Sequence, residues 1–356
     1  MKRFILALVV AALALPALAQ QQPAQQPFNE QIDVTAVLLD VIVTDRDGNQ
    51  ILGLGKDDFI VEENGVAQTV DSVDYFTNRV LLDGREDQAP FKVESVREDR
   101  YFIFFFDKPQ DPSLLFNELS LARKAVQNFI REDMKEKDRV AIAGHDVRLK
   151  IYSDFTNDPK QLEKALNDAL KFGRGLTEAK SAGDGSIMGA IDKDRMMNET
   201  GTVYAALDVL ADSVRGISAR KNLVLFSPGI RDRNEAISNG MIVSRSRDLD
   251  PALESLNAAN VSVYGVQMQR DTSATSDMFV HQRLTEISQS TGGEYFRINT
   301  NFANAVESVE QTNAGYYLVT YRSEHPKGSR GFQSVDVKVR NPEFRVIARS
   351  GYQYGS

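Results

Sequence analysis

The chain has 356 residues, of which 42% are hydrophobic and 26% are charged, a composition typical of globular proteins. Its 42 Lys and Arg residues and 50 Asp and Glu residues give a formal net charge of −8, and no basic run is present. Nucleic acid is therefore not expected as a partner. Because the sequence contains no cysteine, disulfides and a thiolate nucleophile are both excluded.

The first 19 residues have the pattern of a signal peptide. Lys2 and Arg3 precede an apolar stretch, and Ala17-Leu18-Ala19 provides the small-x-small cleavage site. The alternative is a short N-terminal anchor helix, but the apolar stretch is short for a membrane span. We therefore expect a soluble protein that is secreted or periplasmic and has no membrane span after cleavage. Residues 20–29 form a Gln/Pro tract, which predicts a flexible tether.

Residues 30–79 predict a small β-sandwich domain. Runs of β-branched residues are separated by Asp47-Gly48 and Asn64-Gly65, two dipeptides typical of tight turns between strands. Asp45-x-Asp47-Gly48 also resembles the start of a calcium loop. Position 56 is Lys where such a loop needs a bidentate Glu, so a plain turn is favoured. Residues 80–98 are charged and irregular, which predicts a linker.

An aromatic run follows the predicted linker. Tyr101 to Phe106 are six consecutive apolar or aromatic residues without polar alternation, which predicts a strand buried on both faces of a parallel sheet. Asp107 follows directly. Because ligands of open α/β sheets bind beyond the carboxyl ends of the strands, Asp107 is the first candidate for a functional residue.

Helical and strand patterns then alternate through residues 99–352, which predicts a doubly wound, mostly parallel α/β domain. Residues 171–198 lack periodicity and predict a long loop, and Gly201-Thr202 opens a helix. The helix at Phe302 leads into a further strand at 316–321 of this domain. Residues 332–339 and 344–348 predict an antiparallel C-terminal hairpin added to the edge of the same sheet.

Motifs in both halves resemble the bacterial von Willebrand factor A-related domain proteins that have a small β domain in front. The motifs are Val41-x-Val43-x-Asp45-x-x-Gly48, Gly53-Leu54, Asp58-Phe59, Glu63-x-Gly65-x-x-Gln68, the aromatic strand ending at Asp107, Gly201-Thr202, Leu223 to Gly229, Tyr316-Tyr317-Leu318 and Ser350-Gly351-Tyr352. The resemblance implies a von Willebrand factor A-like fold for residues 99–352 and a binding function for it.

The resemblance also implies a metal-ion-dependent adhesion site, which the sequence matches only in part. Asp107 and Thr202 match two ligands, whereas the two serine positions fall on Pro109 and Asp111 and the last aspartate falls on Pro228. One interpretation is a rebuilt Mg²⁺ or Ca²⁺ site made by Asp107, Asp111, Thr202 and Asp232. The other, which we favour, is a degenerate site without a cofactor, in which Asp111 and Thr202 cap helices and Asp107 accepts loop amides.

No catalytic motif accompanies the histidines of the chain, which are His145, His281 and His325. We therefore predict a binding protein and not an enzyme, with an unknown protein partner in the cell envelope. The residues predicted to contact this partner are Asp107, Asp111, Ser113, Thr202, Ser227 and Asp232. A true divalent-cation-dependent adhesion protein is the main alternative. A hydrolase with an unrecognised site, involving His145, and a purely structural envelope role are the others.

Overall fold

The structure is a computed structural model, which describes residues 32–77, 93–94, 99–108, 115–171, 185–230, 237–238, 241–242, 246–268, 274–297, 301–313, 315–326 and 328–355. The predicted signal peptide, the predicted tether and most of the predicted linker lie outside these ranges. Within them, none of the helices combines the length and the apolar character that crossing a bilayer requires.

The strands of the described residues are β1 (Ile32–Thr44), β2 (Phe59–Glu63), β3 (Val66–Gln68), β4 (Val70–Thr77), β5 (Val93–Glu94), β6 (Tyr101–Asp107), β7 (Arg139–His145), β8 (Leu149–Thr156), β9 (Lys221–Ser227), β10 (Ile237–Ser238), β11 (Met241–Ile242), β12 (Val261–Gln267), β13 (Tyr295–Phe296), β14 (Gly315–Pro326), β15 (Gly331–Val339), β16 (Arg345–Ile347) and β17 (Gly351–Tyr354). The helices are α1 (Phe116–Asn128), α2 (Pro159–Ala169), α3 (Ile187–Ala190), α4 (Lys193–Asn198), α5 (Val203–Ser213), α6 (Leu249–Ala258), α7 (Ala274–Ser290) and α8 (Phe302–Thr312), with a 3-10 turn at Lys56–Asp58 and a π-helical turn at Phe129–Asp133.

The parallel sheet has the strand order β13-β12-β9-β6-β7-β8, in which only β8 runs antiparallel to its neighbour. The aromatic strand β6 therefore lies in the middle, paired with β9 on one side and with β7 on the other. Phe104, for example, is opposite both Val224 and Ile142. The predicted position of this strand is confirmed.

Helices cover both faces of this sheet. Ile103 and Phe105 pack into a core formed with α5, α6 and α7, whereas Phe102, Phe104 and Phe106 pack into a separate core formed with α1, α2 and α8. Since alternate side chains of a strand point to opposite faces, an uninterrupted apolar run is what two helical layers require. The predicted doubly wound α/β class is confirmed.

Two further sheets form a sandwich that uses both ends of the chain. One has the order β16-β1-β14-β4-β5 and the other has the order β17-β15-β2-β3. Their inner faces share one hydrophobic core, which includes Leu39, Val61, Val319 and Val337. The short strand β5 lies within the predicted linker and extends the first sheet by pairing with β4.

The predicted place of the C-terminal strands is wrong. β14 pairs with β1 and β4, β15 pairs with β2, β16 pairs with β1, and β17 pairs with β15, so none of them joins the parallel sheet. The physical reason is their period-two burial, in which Tyr317, Val319 and Tyr321 face inward between less buried neighbours. A strand of the parallel sheet is buried on both faces, whereas an alternating strand suits a sandwich. Residues 315–354 therefore complete the sandwich predicted for residues 30–79.

A buried carboxylate ties three strands of the sandwich together. Both oxygens of Glu63 accept hydrogen bonds from hydroxyl groups, which belong to Tyr321, Ser323 and Tyr352 at 2.6–2.8 Å. We call these four residues the Glu63 cluster. Burial and the adjacent Glu63 raise the pKa of Tyr352 to about 12, so its hydroxyl remains a hydrogen-bond donor at neutral pH.

The structure agrees with the predicted turns better than with the predicted long loop. Asn64 and Gly65 have φ values of 49° and 78° between the paired strands β2 and β3, which is the primed turn that the dipeptide predicts. The side chain of Asp45 accepts the backbone N–H groups of Asp47 and Asn49, as in a plain turn. The predicted loop at 171–198, in contrast, contains the short helices α3 and α4.

Candidate functional site

Asp107 and Ser227 meet at the carboxyl edge of the parallel sheet. They end the adjacent strands β6 and β9, whose register pairs the preceding residues Phe106 and Phe226. The Ser227 hydroxyl donates a hydrogen bond to Asp107 Oδ2 at 2.6 Å and accepts the N–H of Gly229 at 3.0 Å. The second oxygen, Oδ1, accepts no hydrogen bond from any described residue. The sequence placed both residues at this edge, and the structure brings their side chains together.

The environment of Asp107 favours its neutral form. Burial raises the pKa of this carboxyl from 3.8 to about 7, and the Ser227 hydrogen bond opposes the rise only in part. His145, at the end of β7, places Nδ1 at 4.0 Å from Asp107 Oδ1. Burial also lowers the pKa of His145, so the imidazole provides little positive charge to hold the carboxylate ionised. We call Asp107, Ser227 and His145 the carboxyl-edge site.

The tautomer of His145 follows from its hydrogen bond. Its Nε2 lies 3.0 Å from the backbone carbonyl of Thr200, and a carbonyl can only accept, so Nε2 carries the proton. Nδ1 is then an acceptor that faces Asp107. A general base needs a nucleophile or water next to its free nitrogen, and Nδ1 lies 4.0 Å from the carboxyl of Asp107.

Lys108 fixes the end of the aromatic strand and was missed by the sequence analysis. Its Nζ donates hydrogen bonds to the Tyr152 hydroxyl and the Ala169 carbonyl, both at 2.8 Å, and lies 3.7 Å from the carboxylate of Asp146. Burial lowers the pKa of this amine to about 8, and Asp146 counteracts the effect. The only signal in the sequence is a lysine directly after a buried strand, which does not distinguish a buried cation from an exposed one.

Thr202 has a different role from the one that the resemblance implies. It is the N-cap of α5, where its hydroxyl accepts the N–H of Ala205 at 3.1 Å and donates to Asp248 Oδ2 at 2.8 Å. No hydrogen bond connects Thr202 with Asp107 among the described residues. Asp248 lies 46 residues away in the chain, which is why the sequence analysis did not identify it.

The described residues do not fit an octahedral magnesium ion. Mg²⁺ requires near-ideal oxygen geometry, but the Ser227 hydroxyl is directed at Asp107, the Thr202 hydroxyl is directed at Asp248, and Pro228 has no side-chain oxygen. No group of three or more acidic, His or Cys side chains suitable for a metal occurs in the described ranges. Asp111, Ser113 and Asp232 lie outside these ranges, so their predicted roles remain predictions.

Comparison with known proteins gives similarity of structure only. No family model matches the chain, and no curated protein matches it. Proximal thread matrix protein 1 from the mussel byssus is 10% identical with a TM-score of 0.38, over 60% of this chain and 47% of that one, about half its length. An aerotolerance-related membrane protein from Bacteroides fragilis is 13% identical with a TM-score of 0.36, over 60% and 98%. The ArnB paralog VWA2 from Sulfolobus acidocaldarius is 10% identical with a TM-score of 0.40, over 90% and 74%.

At these identities and TM-scores the three structures indicate nothing about what this chain binds. The class of the protein follows instead from its own strand order. It has a doubly wound α/β sheet with one antiparallel strand, as the resemblance to the von Willebrand factor A-related proteins implied, next to a sandwich of mostly antiparallel strands. Its polar carboxyl-edge site lies where open α/β sheets bind ligands.

Proposed function

We propose that this chain is an exported binding protein whose α/β domain holds a protein partner of the cell envelope at the carboxyl-edge site, without turnover. The observation that supports this most is the pairing of Asp107 with Ser227. The two polar groups satisfy each other instead of forming a ligand set. No described residue donates a hydrogen bond to Asp107 Oδ1, which can accept one from a partner when the carboxyl is ionised and donate one when it is protonated.

The degenerate metal site is part of this proposal. A carboxyl whose pKa is about 7 and whose neighbour donates a hydrogen bond to it is a weak ligand for a hard cation at neutral pH. A neutral carboxyl can instead donate and accept hydrogen bonds, as a protein partner with paired polar groups requires. We further propose that the N-terminal pattern directs the chain to the periplasm or out of the cell.

Partner capture tests the proposal. The chain without its signal segment is immobilised and exposed to an envelope extract, and the retained proteins are identified by mass spectrometry. Proteins held by the wild type should be lost with Asp107→Ala and Ser227→Ala, with or without a chelator. Asp47→Asn is the matched control, because it removes an exposed acid in a turn of the sandwich. Equal retention by the wild type and the Asp107→Ala variant would exclude this site.

A second candidate is a divalent-cation-dependent adhesion protein, in which Asp107 Oδ1, to which no described residue donates a hydrogen bond, would help to hold a cation of less strict geometry than Mg²⁺, such as Ca²⁺. Calorimetric titration with Mg²⁺, Ca²⁺ and Mn²⁺ separates the two. One-site binding that is abolished by Asp107→Ala, together with capture that a chelator prevents, supports the adhesion protein. A hydrolase that uses His145 would instead show turnover in a broad activity screen, and a His145→Gln substitution would remove it.

A further inference from the structure

A polar cavity lies at the opposite end of the parallel sheet from the carboxyl-edge site. Its volume is about 360 Å³, and it is located where the ends of α5 and α6 meet strands β1, β4 and β14 of the sandwich. Lys221 begins β9 and Asn260 precedes β12, which places this region at the amino ends of the parallel strands. We call it the amino-end cavity.

Three arginines and a single acid occur among the described residues that line this cavity. Arg215 pairs with Asp212 at 2.8 Å, whereas neither Arg220 nor Arg349 forms an ion pair with a carboxylate in the described part of the chain. The acid is Asp40, whose Oδ2 accepts a hydrogen bond from the side chain of Asn260 at 2.8 Å. Lys221 is fully buried next to Arg220 and forms no ion pair with a described carboxylate.

Both arginines are held in place by backbone carbonyls. Arg220 Nη2 donates to the carbonyl of Gly292 at 2.7 Å, and Arg349 Nη2 donates to that of Leu38 at 2.7 Å. Arg349 Nη1 donates to the carbonyl of Asn257 at 3.2 Å. The Nε–H groups of both arginines, in contrast, are buried and have no acceptor among the described residues. A pair of fixed guanidinium groups with unused donors is an arrangement that an anion can complete.

The charge balance of the cavity also favours an anion. Arg215 is balanced by Asp212, and Arg220 and Arg349 set against Asp40 leave one excess positive charge. Lys221, with a pKa of about 7, adds about half a charge at neutral pH. The C-terminal ends of α5 and α6 each contribute about half a negative charge, so about half a positive charge remains. Burial lowers the pKa of Arg349, and the neighbouring Arg220 lowers it further. Burial likewise lowers the pKa of Lys221 to about 7, with Arg349 adding to the effect.

We propose that the amino-end cavity binds the oxyanion group, phosphate or carboxylate, of a small molecule. The forked guanidinium groups of Arg220 and Arg349 match the oxygens of such a group. Phe76 and Tyr316 line the same cavity as a stacked pair with ring centroids 5.4 Å apart, which provides an apolar wall for the organic part of the ligand. The volume is at the lower end of the range for small-molecule sites.

Thermal unfolding in the presence of simple anions tests this proposal. Inorganic phosphate and citrate are each compared with chloride at equal ionic strength, so that charge screening is the same in each solution. The general stabilisation by excluded anions is shared by the wild type and the variants described next, so only a shift that depends on the cavity residues counts. At about tenfold its dissociation constant, the bound anion should raise the Tm by about 2–4 °C over chloride. A larger shift with phosphate identifies a phosphate ligand, and a larger shift with citrate identifies a carboxylate.

Charge variants make the assignment specific. Arg220→Gln and Arg349→Gln should abolish the anion-dependent shift, whereas Asp40→Asn should increase it, because the competing carboxylate is removed. The increase with Asp40→Asn can be measured even if an arginine variant fails to fold. Arg322→Gln is the matched control, since this exposed arginine pairs with Asp71 away from the cavity. The proposal is wrong if neither anion exceeds chloride, or if Asp40→Asn and Arg220→Gln leave the shift unchanged.

Discussion

The replacement of Asp107 by asparagine should make the protein more stable at high pH and leave it almost unchanged at low pH. Asparagine resembles the protonated carboxyl in shape and charge. Its carbonyl can accept the Ser227 hydrogen bond, and its NH₂ group faces His145 Nδ1, which is an acceptor. The substitution therefore removes the ability of this position to ionise while keeping its main contact.

The magnitude follows from the pKa of Asp107, which is about 7 in the folded chain against an ordinary 3.8. Below about pH 4 the carboxyl is protonated in both the folded and the unfolded state, so it contributes no pH dependence. Between about pH 4 and pH 7 the folded state holds more protons than the unfolded state. Stability therefore falls as the pH rises, by up to about 4 kcal/mol.

Denaturant unfolding of the wild type and of Asp107→Asn at about pH 4.5 and at about pH 8 measures this effect. The first pH lies below the pKa of Asp107 in the folded chain and the second lies above it. We expect the two free energies of unfolding to agree within about 1 kcal/mol at the lower pH and to differ by about 2–4 kcal/mol at the higher pH, with the variant more stable. The Asp47→Asn control should show no such divergence. A difference that does not change with pH would refute the proposed ionisation behaviour of Asp107.

The remaining predictions concern the fold. Phe104→Ala should destabilise the chain by about 3–5 kcal/mol, because it opens a cavity next to the central strand. Phe116 is its control: this side chain is 70% exposed, and Phe116→Ala should change the free energy of unfolding by about 0.5 kcal/mol or less. Both are measured by denaturant unfolding. Glu63→Ala should cost about 2–4 kcal/mol, since it leaves the three hydroxyl groups of the Glu63 cluster without their acceptor; a loss no larger than that of Phe116→Ala would contradict this role. Gly65→Ala should lower the Tm by a few degrees, corresponding to about 1 kcal/mol, because its φ of 78° disfavours a side chain, and an unchanged Tm would show that the turn relaxes freely.

The parts of the fold that the sequence predicted are those set by local pattern. The aromatic run at Tyr101 to Phe106 has enough apolar residues to require burial on both faces, and this alone places it inside a sheet covered by helices. The Asn64-Gly65 turn is equally local, because the two residues tolerate the positive φ values that the hairpin needs.

The parts that the sequence did not predict depend on long-range pairing. The alternation of buried and less buried residues around Tyr317 identifies a half-buried strand. No local feature of the sequence shows that this strand pairs with β1, which lies near the other end of the chain. The same holds for the bond between Thr202 and Asp248, and for Lys108, whose burial depends on Tyr152 and Ala169 from other elements. Local patterns specify which side chains are buried, and the tertiary fold determines which ones meet.

At the carboxyl-edge site, too, local pattern predicted the positions of the residues but not the contacts between their side chains. Asp107 and Ser227 were predicted from one rule, that ligands of open α/β sheets bind beyond the carboxyl ends of the strands. Their mutual hydrogen bond, and with it the neutral tendency of Asp107, could not be predicted, since it depends on the rotamers and the burial of both side chains. The proposal of a degenerate site rests on that bond.

Because the chain contains no cysteine, a single introduced cysteine provides a unique attachment point for a photo-activated cross-linker. Val147, 61% exposed, follows β7 at the carboxyl edge, and the exposed Ser218 lies at the opposite end of the sheet. We predict that Val147→Cys cross-links an envelope protein, that Ser218→Cys does not, and that adding Asp107→Ala to Val147→Cys removes the product. A product from Ser218→Cys alone, or one that persists with Asp107→Ala, would contradict partner binding at the carboxyl-edge site.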